Sequence, residues 1–212
     1  MKDFPMFTTE HGIASLVLKQ IPYNGCAYIT LQDSLQPQRL LHECCDFCKA
    51  AGAEHIYASG HNCLENYQLH TEILLKRCLR DRIADTDAVL IPVQAATLEK
   101  FRKLYNDAMN PIANASYMSG IDAGKILAKA KGYFVYREKT LIGIGVAGEE
   151  RIDALVSMVP GCGKDVLFAL NRILTGPYVE VEVASSNIRA VRLYDKLGFE
   201  TVHKLSKWYK II

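Results

Sequence analysis

Polar and apolar residues follow two rhythms along this chain. The alternation in "IASLVLKQI" and "CAYITL", on either side of "PYNG", predicts a β-hairpin closed at Asn24-Gly25. The next stretch, "RLLHECCDFCKAAG", spaces Leu41, Cys44, Cys45 and Cys48 along one helical face, so a helix is expected from about Pro37 to Ala51. A short strand, "HIYAS", follows it. A second helix is expected to start near Asn62 and carry "LENYQLHTEILLKRCL". From Asp87 the pattern predicts a strand "AVLIPV". A helix "TLEKFRKLYNDAM" comes next, with Leu98, Phe101, Leu104 and Tyr105 on one face, and Pro111 interrupts it. A further helix "GIDAGKILAKAK" leads to a hairpin, "GYFVYR" with "LIGIGVAG", and to a third strand "RIDALVSMV". The loop "PGCGK" then opens a helix "DVLFALNRIL", and a strand "YVEVEVA" follows. The helix "NIRAVRLYDKLGF" is capped by Asn187 and Gly198, and "TVHKLSKWYKI" closes the chain as a strand.

The order hairpin, helix, strand, helix thus occurs twice. "YASGHN" leads into the expected helix at Asn62, as "VASSN" leads into the one at Asn187. This reads as an internal duplication with a shorter, degraded first copy, 1–85, followed by a full domain, 86–212. Strand–helix alternation is also common in any α/β chain.

Composition narrows the picture. The 212 residues are 50% hydrophobic and 23% charged, enough for a sizeable core and too apolar for disorder. A formal net charge of +2 gives no electrostatic reason for nucleic acid or an anionic membrane. No apolar run is long enough to span a bilayer, and "MKDFPMFTTEHG" lacks the apolar core of a signal peptide, so a cytoplasmic protein is expected. Seven cysteines, an odd number, are expected as reduced thiols. Cys45-x-x-Cys48 with His61-x-Cys63 has the look of a zinc site. The helical spacing of Cys44, Cys45 and Cys48 favours the plainer reading of small buried side chains, and no metal is expected.

The stretch "VSMVPGCGKDVLFAL" carries the most chemistry. Glycines between a strand and a helix let a ligand approach the backbone, and the N–H groups of the first helical turn attract an anion. A Walker A loop is ruled out, because Met158 stands where its first glycine belongs and Asp165 follows Lys164. A dinucleotide fingerprint lacks its third glycine. What remains is a pyrophosphate cradle for coenzyme A or a plain strand-to-helix turn.

The order strand, glycine loop, helix, strand, Asn, helix with Tyr, Gly-Phe resembles the GNAT superfamily of acetyl-CoA-dependent N-acetyltransferases, over roughly Val89 to Ile212. "VEVASSNIRAVRLYDKLGF" is the most specific part, with Asn187, Ala190, Tyr194, Gly198 and Phe199 in register. In the glycine loop Gly161-Cys162-Gly163 matches, Met158 stands in the Gln/Arg place, and the loop is short. The resemblance implies an α/β fold: a central mixed, largely antiparallel sheet flanked by helices, here extended by an N-terminal partial GNAT-like unit. It implies acetyl-CoA or CoA bound by Val156, Met158, Val159, Gly161, Cys162, Gly163, Lys164, Asp165, Asn187, Ala190 and Tyr194, with Tyr194 donating a proton to the departing thiolate. Candidate bases for the attacking amine are Glu182 and Glu150, among Glu149, Asp153 and Glu180; a water chain would serve equally. In the first copy no glycine separates strand from helix, and Leu69 takes the tyrosine's place, so no cofactor is expected there. The expected activity is acetyl transfer from acetyl-CoA to a primary amine on a small molecule or peptide, by a monomer or homodimer. The alternative is a non-catalytic acyl-CoA-sensing or partner-binding module on a decayed GNAT fold.

Overall fold

The computed structural model describes residues 5–212. In chain order the elements are β1 (Met6–Thr9), β2 (Gly12–Val17), the one-turn helix α1 (Ile21–Asn24), β3 (Cys26–Ser34), α2 (Pro37–Ala50), β4 (His55–Ser59) and β5 (Gln68–Leu79). Then come β6 (Val89–Pro92), α3 (Leu98–Met109), α4 (Gly120–Ala128), β7 (Gly132–Arg137), β8 (Thr140–Ala147), β9 (Ile152–Ser157), α5 (Gly163–Asn171), β10 (Tyr178–Ala184), α6 (Ile188–Lys196) and β11 (Glu200–Lys210). One sheet has the order β1-β2-β3-β4-β11-β5-β10 and the other β6-β7-β8-β9. Antiparallel pairs dominate, and β3 with β4 is parallel, so the first sheet is mixed.

Two expectations are corrected. The β2–β3 hairpin forms, but its link is not a two-residue turn. Ile21–Asn24 make one helical turn, and Gly25, at φ 68°, returns its N–H to the Ile21 carbonyl at 3.0 Å. Asn24-Gly25 therefore reverses the chain as a helix C-cap. The second helix expected from Asn62 is also absent. Asn62–Asn66 form a short 3₁₀ helix, and Gln68–Leu79 form the long strand β5. Its buried positions, Thr71 on one face and Lys76 and Cys78 on the other, are not large apolar residues, while its leucines mimic a helical stripe.

The chain divides into two compact units, Met1–Ile73 with Lys204–Ile212, and Leu74–His203. In the first, α2 lays Leu40, Leu41, Cys44, Cys45 and Cys48 onto Ala27, Ile29 and Leu31 of β3 and Ile56 and Ala58 of β4. Burial of that size stabilises by about 1.5–3 kcal/mol per leucine. Strands β3 and β4 pair in register from Cys26↔His55 to Thr30↔Ser59. Burial pushes the thiols of Cys44, Cys45 and Cys48 up to about 12, 11 and 11. His61 accepts the Cys63 N–H on Nδ1 at 3.1 Å, capping the 3₁₀ helix. Among the described residues no group of three or more His, Cys, Asp or Glu is placed to hold a metal ion.

In the second unit, helix α3 and α4 residues pack with Phe134, Ile144, Val146 and Val156 in one apolar cluster. Residues of α5 and α6 share a different cluster with Val135, Ile142, Val179, Val181 and Val183. The glycines of "LIGIGVAG" explain how closely α5 approaches. A Cβ on Gly143 would collide with Val166, and one on Gly145 with Leu170, both on α5. Among the described residues, no helix is long and apolar enough to cross a membrane.

Candidate functional site

The site is built around two strands that do not pair. Helix α5 connects β9 to β10, yet β9 ends one sheet and β10 ends the other. Two hydrogen bonds tie this region together. Thr175 N–H donates to the Glu149 carbonyl at 2.9 Å, and Arg151, just before β9, donates to Glu182 Oε1 on β10 at 2.9 Å. Arg151 Nε also lies 3.0 Å from Asp153 Oδ1, without hydrogen-bond geometry. Burial works against the Arg151 charge. The hydrogen bond to Glu182 and the charges of Glu182, Asp153 and Glu180 outweigh it, and its pKa is raised.

Beyond that clamp, β9 is the edge strand of its sheet. Met158 donates its N–H to Ile142 of β8 at 2.9 Å. The two-residue period of a strand turns Val156 the same way, so the backbone groups of Leu155 and Ser157 face away from β8. A ligand along this edge meets Leu155 and Ser157 rather than Val156 and Met158. Both of those side chains lie in the α3-side cluster, Val156 buried and Met158 partly so.

At the far end of β9 the loop turns tightly. Ser157 Oγ and Cys162 N–H both donate to the Val159 carbonyl, at 2.7 and 3.2 Å, and Gly161 takes φ 87°, which favours glycine. Cys162 is the N-cap of α5, and no side chain caps the helix. The N–H groups of Gly163, Lys164 and Asp165 therefore form an open anion site in geometry and polarity. A Cβ on Gly163 would lie 3.0 Å from Leu193 Cδ2 of α6 and 3.9 Å from Ser157 Cβ, so this glycine lets Leu193 pack closely against the start of α5. Lys164 is exposed, and Asp165 is buried against Arg137.

Helix α6 lies against the start of α5. Asn187 accepts the Ala190 N–H at 3.2 Å, so both are occupied in the helix cap. Tyr194 is 5% exposed, its ring centroid 5.3 Å from that of Phe199. Its hydroxyl has no hydrogen-bond partner among the described residues, and burial pushes its pKa up to about 12. Two contacts from β5 hold this helix. Lys76 donates to Asp195 at 2.7 Å, and the Cys78 thiol donates to the Leu197 carbonyl at 3.6 Å.

The predicted site residues thus fall into groups. Gly161, Cys162, Gly163, Lys164 and Asp165 form the loop and first turn, while Asn187, Ala190 and Tyr194 belong to α6 and its cap. Glu182 is held by Arg151, and Glu180 by Arg77 at 2.7 Å. Glu149 and Glu150 are exposed ahead of β9. Sequence reasoning missed Arg151, Arg137, Lys76, Leu193 and Ser157. Most act through partners remote in the chain, and such pairs leave no periodic trace.

No family model matches the chain, and no curated protein matches it. Solved structures do. A functionally unknown conserved protein from Staphylococcus epidermidis superposes with a TM-score of 0.62 at 12% identity, over 99% of this chain and 94% of that one. A GCN5-related N-acetyltransferase from Kribbella flavida gives 0.54 at 12% identity, over 96% of this chain and 58% of that one. The chain has the GNAT fold. An acetyltransferase of the GNAT family from Colwellia psychrerythraea gives 0.50 at 15% identity, over 97% of this chain and 84% of that one. β9, the Val159–Lys164 loop, α5, β10 and α6 follow one another in the order expected from the sequence. The expected mixed, largely antiparallel sheet flanked by helices is present. In the N-terminal half β3 and β4 pair directly.

Proposed function

We propose that this protein is an N-acetyltransferase that uses acetyl-CoA and a primary amine. The observation that carries the reading is the open edge between β9 and β10, clamped at one end by Arg151–Glu182 and ending at the uncapped N-terminus of α5. The residues present suit the cofactor. Gly161 has nothing within 4 Å on its Cβ side, three first-turn N–H groups suit a pyrophosphate, and Leu155 and Ser157 offer strand edges to an amide-containing arm.

Bound acetyl-CoA supplies a thioester carbonyl that an amine nitrogen attacks, with the C–S bond breaking as the new C–N bond forms. The departing sulfur needs a proton. Tyr194, kept protonated by burial, is the donor available on α6. With Glu182 engaged by Arg151 and Glu180 by Arg77, solvent near the exposed Glu150 is the remaining route for the amine proton.

A second reading has specific support: a module that binds acyl-CoA without turning it over. Met158 brings no polar group to the loop, and a phenol at about 12 is a weak acid toward a thiolate. Two measurements separate the readings. Titration with CoA, together with protection of the half-exposed Cys162 from alkylation, tests binding. Thiol release from acetyl-CoA with a panel of primary amines tests turnover. Binding with turnover supports the enzyme, binding without turnover supports the sensor, and no binding at millimolar CoA sinks both.

A further inference from the structure

The first turn of α5 carries an acid where a phosphate is expected to dock. Asp165 is the third residue of the helix, and its side chain is 12% exposed. A carboxylate there takes up the positive end of the helix dipole and repels a second anion. Its charge is met from elsewhere in the second unit. Arg137, the last residue of β7, places Nη2 2.7 Å from Asp165 Oδ1 and turns Nε to Asp87 Oδ1 at 3.0 Å. Arg137 lies far from the glycine loop in sequence, and the loop's own Gln/Arg place holds Met158.

We infer that Arg137 is a positioning residue for phosphate recognition: by pairing with Asp165 it holds the carboxylate off the first-turn N–H groups of α5, leaving them for the pyrophosphate of CoA. The inference rests on the cofactor reading given above. Without Arg137, a nearly buried carboxylate loses its cation, and a carboxylate in the first turn of a helix can turn to the free N–H groups of that turn. The acid then competes with phosphate for the same groups. A purely structural role for Arg137, fastening the β7–β8 turn to α5, predicts something different. It loosens the whole site and penalises every part of the cofactor alike.

Calorimetric titration of the full chain separates the two. Arg137→Gln should weaken CoA binding roughly three- to tenfold, the scale of one charge at a helix N-terminus. It should leave acetyl-pantetheine, which lacks the phosphates, unaffected. Asp165→Asn should bind CoA at least as tightly as the parent, and Arg137→Gln combined with Asp165→Asn should recover most of the loss. Unchanged CoA affinity in Arg137→Gln overturns the inference, as does equal loss for both ligands or failure of the double variant to recover. If acetyl-pantetheine binds the parent too weakly to measure, recovery in the double variant decides. A parent that binds neither ligand overturns the cofactor reading and this inference with it. A parent that binds CoA while Arg137→Gln binds it equally well overturns the inference alone.

Discussion

Tyr194 and Gly163 show how single residues carry the reading. Replacing Tyr194 by Phe removes one hydroxyl and keeps the ring against Phe199. Under the enzyme reading, turnover at saturating acetyl-CoA should fall by roughly a hundredfold, the scale for a lost general acid, with CoA affinity little changed. The same variant has a signature independent of activity. Burial raises the Tyr194 pKa from 10.0 to about 12. Between those values the unfolded chain releases the proton and the folded chain keeps it, so this group's contribution is intact below pH 10 and is lost as pH rises toward 12. Phe carries no such proton. Urea unfolding near pH 8 and near pH 11 should therefore show Tyr194→Phe gaining on its parent at the higher pH; a constant gap would mean that the phenol is solvated. At Gly163 a Cβ meets the tip of Leu193, which can swing aside, so Gly163→Ala should fold and bind CoA nearly as the parent does. The branched Gly163→Val crowds Leu193 and the first turn of α5 and should weaken CoA several-fold with the melting temperature within a few degrees. Parental affinity in the valine variant would place the phosphate elsewhere.

At the scale of elements, α6 is held in place by a strand from early in the chain. Lys76 is buried to 5% side-chain exposure, whereas its partner Asp195 is 54% exposed. Removing the two ends should therefore not be equivalent. Lys76→Met keeps the apolar stem and frees a carboxylate that water can reach. Asp195→Ala leaves an ammonium buried and unpaired, at a cost of about 1–3 kcal/mol. Chemical denaturation should find Asp195→Ala the less stable of the two, and the reverse order would show that Lys76 has another partner. The same strand marks the limit of what the sequence made legible. α2, α3, α5, α6 and the β7–β8 hairpin were readable because their buried faces are apolar at regular spacing. β5 was not, because its buried residues, Thr71, Lys76 and Cys78, are not large apolar ones and Leu69, Leu74, Leu75 and Leu79 imitate a helix. In the site, the loop and the Asn187–Phe199 helix stood out because glycine and capping chemistry are local. Arg137, Arg151 and Lys76 were hidden because ion pairing across the fold has no sequence period.

Across the whole molecule, the order of strands in the sheet matters more than their number. β5 ends at Leu79, and its sheet neighbours are β10, which starts at Tyr178, and β11. A fragment of residues 86–212 would contain the glycine loop, Tyr194, β9 and β10, and would lack β5. It would leave Glu180 without Arg77 and Asp195 without Lys76, and would expose the edge of β10. That fragment is expected to lack a cooperative melt. A sharp, reversible transition from residues 86–212 alone would show that β10 does not need β5.

The strand order also sets a timetable. A ribosome adds roughly 5–20 residues per second, so β5 emerges roughly 5–20 seconds before the strand beside it exists. For that interval it is an unpaired edge, the kind of segment that recruits foreign strands. Glu72, Lys76 and Arg77 then have an earlier task than the ion pairs they later form. Charges spaced along a waiting strand discourage wrong partners during synthesis. The lysine that hides its own strand from a pattern search carries one of those charges.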